Sequence, residues 1–194
     1  MVGARSRRQG TGPHVARELA RAGCRVVGVV GTSDETIREA RQQLADRHGI
    51  RCRGYRRLAE LFDAESVDAV AICSPPEHHA EALAQVAAAR CHAFCEKPLL
   101  WDPARGAVSA AEAEATARPL VEAFTAAGRV LVVNTQWASA LDAFEELHPG
   151  SRAEPLPARG TRAIIPRPQF PHDFAAFRRL VPSPDAGGRP PEDA

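Results

Sequence analysis

Three stretches of the chain combine residue types and spacings suited to holding or transforming a polar ligand. Gly10-Thr11-Gly12 leads into an amphipathic run and supplies the first two glycines of a G-x-G-x-x-G pattern, with Val15 standing where the third would be. Such glycines make a tight turn that brings backbone N–H groups and a helix N-terminus up to a pyrophosphate. The broken form is equally the mark of an ordinary Gly-rich loop. About twenty residues on, where an acid would bind the ribose hydroxyls of NAD, the chain reads Gly31-Thr32-Ser33-Asp34, with Arg38 one turn further. Small hydroxyl residues beside an Arg suit a 2′-phosphate, which favours NADP over NAD. Thr32 or Ser33 is also a natural helix cap, and Asp34 and Glu35 stabilise a helix start while repelling a phosphate. The third stretch is Glu96-Lys97-Pro98, a lone lysine after a short apolar run. In open α/β sheets ligands bind outside the carboxyl ends of strands, so Lys97 stands where chemistry is expected. The plain alternative is a solvated lysine after an edge strand.

The surrounding pattern predicts the elements that hold these residues. Val70–Cys73 is a short apolar run bounded by turn residues, as in a parallel strand covered on both faces. Pro75 and Pro76 end it. An Ala-rich helix from about His78 to Arg90 and a second strand, Cys91–Cys95, complete a β–α–β unit. Upstream, Met1–Ala4 reads as the end of a first strand, shorter than the usual length of about five residues. A helix follows with Pro13 as its first residue and Val15, Leu19 and Ala22 on one face, closed by Gly23. Then come a buried strand Arg25–Gly31, a helix Asp34–His48 stopped by Gly49, a strand Ile50–Tyr55, a short helix Leu58–Phe62 and the strand Val67–Cys73. Downstream, Trp101-Asp102-Pro103 is a turn, Ala110–Ala127 a helix that Pro119 kinks or divides, Val130–Asn134 a buried strand and Ala138–Leu147 a last helix. The alternation argues for an α/β fold, a doubly wound parallel sheet over residues 1–150. From Ser151 the character changes: nine of the sixteen prolines and seven arginines fall in 151–194, and no apolar periodicity persists. A segment so poor in buriable surface cannot offset its ordering entropy, so 151–194 is expected to be an irregular, mostly disordered tail.

Bulk properties exclude several classes. A net charge of +1 over 194 residues gives no support for a nucleic-acid or membrane-surface partner. No apolar run approaches the roughly 18 residues of a spanning helix, and the basic start MVGARSRRQG has no apolar core of a secretory signal. The five cysteines fall mostly on strands, as reduced thiols of a cytoplasmic protein do. Cys91 and Cys95 lack the paired spacing of a structural zinc site, and no metal is expected. Asp142, Glu145 and Glu146 read as a solvated helix face, and Trp137 as a packing residue.

Taken together, Gly10-x-Gly12, the strand Val26–Gly31, Ser74-Pro75-Pro76-Glu77-His78-His79 and above all Glu96-Lys97-Pro98 resemble the N-terminal half of the Gfo/Idh/MocA oxidoreductases, the glucose–fructose oxidoreductase and inositol dehydrogenase family. The resemblance covers residues 1–148, and the Ser-Pro-x-x-x-His and Glu-Lys-Pro pair is far more specific than the glycines. It implies a Rossmann domain binding NAD(P) and a hydride transfer to or from a sugar, polyol or related small alcohol. By it, Lys97 lies near the nicotinamide and the reacting hydroxyl, where it orients the alcohol or assists its proton transfer, Glu96 holds Lys97 and counts with it among the cofactor-binding residues, and Ser74, Pro75 and His79 line the nicotinamide pocket. A positive charge near a reacting oxygen stabilises a developing alkoxide, and a lysine loses its proton readily when partly buried.

Departures from the family stand beside the matches. The family continues into a second α/β domain with a further catalytic His and Asp, and His172-Asp173 lack the helical spacing that would supply them. The change at Ser151 suggests a truncated or frame-shifted product of a longer gene. Three functions therefore stay open: an NAD(P)-dependent oxidoreductase, a dinucleotide-binding module without turnover, and an inactive truncated member. Oligomeric state is not readable from the chain.

Overall fold

The computed structural model describes residues 1–4, 10–101 and 109–135. The expected helix Ala138–Leu147, Trp137, the boundary near 150, His172-Asp173 and the Pro-rich tail lie outside the described residues, as does most of the Trp101-Asp102-Pro103 turn. Within them the chain alternates strictly: α1 (Gly12–Arg21), β1 (Gly28–Val30), α2 (Asp34–His48), β2 (Arg53–Tyr55), α3 (Leu58–Ala64), β3 (Ala69–Ile72), a 3-10 turn (Pro76–His78), α4 (His79–Ala88), β4 (His92–Glu96), α5 (Ala110–Ala126) and β5 (Leu131–Asn134).

All strand pairs are parallel. β1 pairs with β2, and β3–β4–β5 form a second group with Ala69 opposite His92 and Ala93 opposite Leu131. The first three residues join the two groups. Val2 bridges Val30 on one side and Ile72 on the other; its N–H donates to Ala71, its carbonyl accepts from Cys73, and the Met1 carbonyl accepts from Val30. The order is thus β2–β1–Val2–β3–β4–β5, the doubly wound arrangement expected from the sequence. Short as it is, the first strand serves both neighbours.

Side-chain alternation along the strands feeds two cores, as strand geometry requires. Val29, Ala71 and Phe94 face α1 and α2, meeting Val15, Leu19, Ile37 and Leu44. Val30, Val70, Ile72, Ala93 and Cys95 face the other way, onto Leu58 and Leu61 of α3, Leu83 and Val86 of α4 and Phe124 of α5. Helix α2 has the expected limits because both ends are specified. Ser33 forms a capping box with Thr36, and Gly49 closes the helix with φ +66°.

Three points narrow or correct the expectations. Pro119 lies inside α5 without dividing it; it is solvent-exposed, so water can reach the backbone carbonyl that its missing N–H leaves without a donor. Strand β5 is half-buried along its whole length rather than buried, since among the described residues it has a strand neighbour on one side only. Pro13 is the second residue of α1, after Gly12. Among the described residues no helix is long and apolar enough to cross a membrane.

Candidate functional site

The carboxyl ends of the parallel strands lie on one side, and the point where the chain departs in opposite directions falls between Met1–Ala4 and β3. The backbones are tightly apposed there. Gly3 has φ +76°, and a Cβ on it would lie 2.5 Å from both the Cys73 carbonyl oxygen and the Ser74 nitrogen. A Cβ on Gly12 would overlap the Gly3 carbonyl and come within 2.8 Å of the Ala4 Cα. Gly12 therefore serves close helix–strand packing, while Gly3, unremarked in the sequence reading, makes the turn out of the strand. Its signal was present: a glycine directly after the first apolar residues. Gly10 is partly buried just ahead of α1. At the start of α1, Thr11 makes no side-chain cap, so no side chain of the cap residue competes for the first-turn N–H groups, of which Pro13 contributes none.

Beyond β3, the Ser74 hydroxyl is buried without a hydrogen-bond partner, alone in this among the described side-chain nitrogens and oxygens. Buried polar groups nearly always have partners, so an orphan at the switch point is a place for a ligand to bond. A glycine cradle with no room for side chains, an open helix start and an orphan hydroxyl fit a phosphate-bearing dinucleotide. Pro75 is exposed beside it. His79, the first residue of α4, is fully buried. Its Nδ1 lies 2.8 Å from the Pro98 carbonyl oxygen and its Nε2 2.9 Å from the Ser74 carbonyl oxygen. The ring therefore lies beneath the loops rather than on their outer surface.

At the end of β4, Lys97 is exposed and precedes a cis peptide bond to Pro98. It is the only lysine among 25 basic residues. Glu96 is buried, and its Oε1 accepts from the Asn134 amide at 2.7 Å. The partner that fixes Glu96 is thus the facing residue on β5, not Lys97. The thiols nearby are inert: burial, reinforced by the Glu96 charge, pushes Cys73 and Cys95 up to about 12. All five cysteines are free, and among the described residues no three His, Cys, Asp or Glu side chains converge as a metal would require.

Three strands away from β4, beyond β3 and Val2, lies the loop after β1. Ser33 is committed to the capping box: its Oγ accepts from the Thr36 N–H, and its own N–H donates to Thr36 Oγ1. Thr32 is exposed, as is Arg38 on α2. The guanidinium brought onto this loop is Arg56, from the end of β2, whose Nη1 lies 3.3 Å from Asp34 Oδ1. Sequence spacing along the loop does not reveal it, because strand pairing, with Val30 opposite Tyr55, delivers it.

Comparison with known proteins agrees with this geometry. No curated protein sequence matches the chain. Among solved structures, a probable dehydrogenase from Thermotoga maritima aligns with a TM-score of 0.54 at 19% identity over 78% of this chain and 40% of its own. The WlbA dehydrogenase from Bordetella pertussis, in complex with NADH and UDP-GlcNAcA, gives 0.54 at 20% identity over 75% of this chain and 36% of its own. Biliverdin reductase from Synechocystis, in complex with biliverdin and NADP+, gives 0.50 at 20% identity over 72% and 37%. The chain thus spans well under half the length of these structures, and what it shares with them is the fold. The family model described as oxidoreductase family, NAD-binding Rossmann fold, matches residues 1–134, the stretch that carries the glycine cradle, the orphan hydroxyl of Ser74 and the lysine. The chain belongs to the Gfo/Idh/MocA oxidoreductase family.

Proposed function

We propose that this chain binds a nicotinamide dinucleotide, NADP in preference to NAD, and forms the cofactor-binding part of an oxidoreductase acting on a CH–OH group of a sugar, polyol or related alcohol. The observation that carries this reading is the position of Lys97. The one lysine in a chain that otherwise uses arginine stands exposed at the carboxyl end of β4, next to the strand whose loop holds Ser74. An ammonium is a compact point charge with three rotatable donors, which suits a single reacting oxygen better than the planar fork of a guanidinium. Lys97 is therefore the catalytic residue, donating to the alcohol oxygen and stabilising negative charge as it develops there. Glu96, held by Asn134, acts on Lys97 through the backbone they share. Gly10, Gly12 and the start of α1 take the pyrophosphate, Ser74 and Pro75 flank the nicotinamide side, and Thr32, Ser33 and Arg38 flank the ribose, joined by Arg56. A bound nicotinamide supplies the hydride acceptor or donor. The substrate class rests on the family and on one neighbour that holds UDP-GlcNAcA beside NADH. Free cysteines suit a reducing compartment, and we place the protein in the cytoplasm.

Titration of the folded chain with NADPH and NADH, followed by nicotinamide fluorescence and by a screen of sugars and polyols, tests the reading. Saturable binding, tighter for NADPH, with turnover lost in Lys97→Ala, is the expected result. Binding without turnover by any substrate would leave a dinucleotide-binding module, and no binding by a folded chain would overturn the proposal.

A further inference from the structure

The geometry points to His79 as a positioning residue that ties the two ligand-facing loops together and thereby sets the place of Lys97. These loops belong to different strands, Ser74 following β3 and Pro98 following β4, and they are 24 residues apart in sequence. The strand pairing ends at Ile72 opposite Cys95, before either loop begins. Beyond that point the ring of His79 takes over, with one nitrogen 2.8 Å from the Pro98 carbonyl and the other 2.9 Å from the Ser74 carbonyl. A carbonyl only accepts, so the ring donates to the side that carries its proton, and the imidazolium form donates to both. Full burial leaves the ring no solvent to bond instead, and among the described residues it is the side chain that meets both carbonyls. Pro98 is the residue after Lys97, which places the bridge one peptide from the ammonium-bearing residue. Ser74, whose carbonyl it takes, is the residue with the orphan hydroxyl.

The inference rests on the dinucleotide reading for one half of its test and is independent of it for the other. Because Lys97 is the only lysine, reductive methylation with 13C-formaldehyde gives a single lysine signal beside that of the α-amino group. In the full chain, His79→Ala is expected to move and broaden the Lys97 resonance, and His79→Gln, whose amide nitrogen carries two protons, to restore it. An unchanged Lys97 resonance in both variants would overturn the inference whether or not a dinucleotide binds. If the alanine variant does not fold, the glutamine variant carries the test against His79→Leu, which fills the space without a donor. The second half is a double-mutant cycle on NADPH affinity. The effect of Lys97→Ala is expected to shrink by about threefold or more in the His79 variant background, as for residues acting as a unit. Additive effects would reduce His79 to a general packing role. If the unmodified chain binds neither dinucleotide, the functional reading falls while the methyl resonance still decides the role of His79.

Discussion

Asp34 and Arg56 show how one side chain can reverse the character of a loop. An exposed carboxylate at the start of α2 would repel a 2′-phosphate, but the guanidinium of Arg56 lies on it at 3.3 Å. Both groups are solvent-exposed, so the pair itself contributes little to stability. On the proposed NADP reading the pair matters as a positive charge held on the loop that carries Asp34. Replacing Arg56 by Gln is expected to weaken NADPH binding about tenfold, the worth of a charge-assisted contact of roughly 1.5 kcal/mol, and to leave NADH binding unchanged. Paired titrations measure this, and equal weakening of both dinucleotides would assign Arg56 no part in the choice. The thiols give a second residue-scale prediction. Cys73 and Cys95 are raised to about 12 chiefly by burial, whereas in the unfolded chain they ionise near 9. Above that value the unfolded state binds fewer protons than the folded one, so stability falls as pH rises from about 9 towards 12. Urea midpoints at pH 8 and pH 10 should show the decline, and Cys95→Ala should lessen it.

Elements are where most of the fold was legible. Helix α2 could be read to the residue because its cap, its first-turn acids and Gly49 are all local signals. Strand lengths were not. Arg25–Gly31 reads as one apolar run, yet β1 is only Gly28–Val30, because its partner β2 offers three residues to pair with. The same non-locality hid Arg56, and it concealed that Glu96 is held by Asn134 across the sheet. Lys97 was marked by its place after a strand, Ser74 and His79 through the family resemblance, and what the fold added is their arrangement. Gly3 provides the test at this scale. Gly3→Ala combines positive φ with a Cβ 2.5 Å from two backbone atoms, whereas Gly49→Ala combines a similar φ with open space. The Gly49 variant should lose roughly 1–2 kcal/mol, the left-handed cost alone, with dinucleotide affinity intact. The Gly3 variant should lose more stability and also the affinity, since Ser74 must move. Thermal melts and titrations of both variants separate the two effects.

Across the whole molecule the two cores are unequal in their reach. The one under α3 and α4 encloses the inner strands, and Leu83, Val86, Ile72 and Ala93 are fully buried there. Towards β5 the enclosure thins. Helix α5 is exposed along nearly its whole length and enters the core through Phe124, which is 1% exposed, with Leu120 packed beside it. Most helical stability comes from packing an apolar face, so α5 is held chiefly by one aromatic anchor. Local opening free energies should follow this gradient. Amides of β3 and β4 are expected to exchange only on global unfolding, and those of α5 by local opening. Phe124→Ala removes a buried ring worth about 3–5 kcal/mol. Because the lost contacts lie between α5 and the β4–α4 layer, exchange in α5 and β5 should accelerate far more than exchange in α1 and α2, on the opposite face. Uniform acceleration throughout the chain would mean that the two cores unfold as one unit and that α5 is no weaker than the rest. A confined effect would show that the glycine cradle, built from Gly3, Gly12 and the β3 end, keeps its stability independently of the β5 edge.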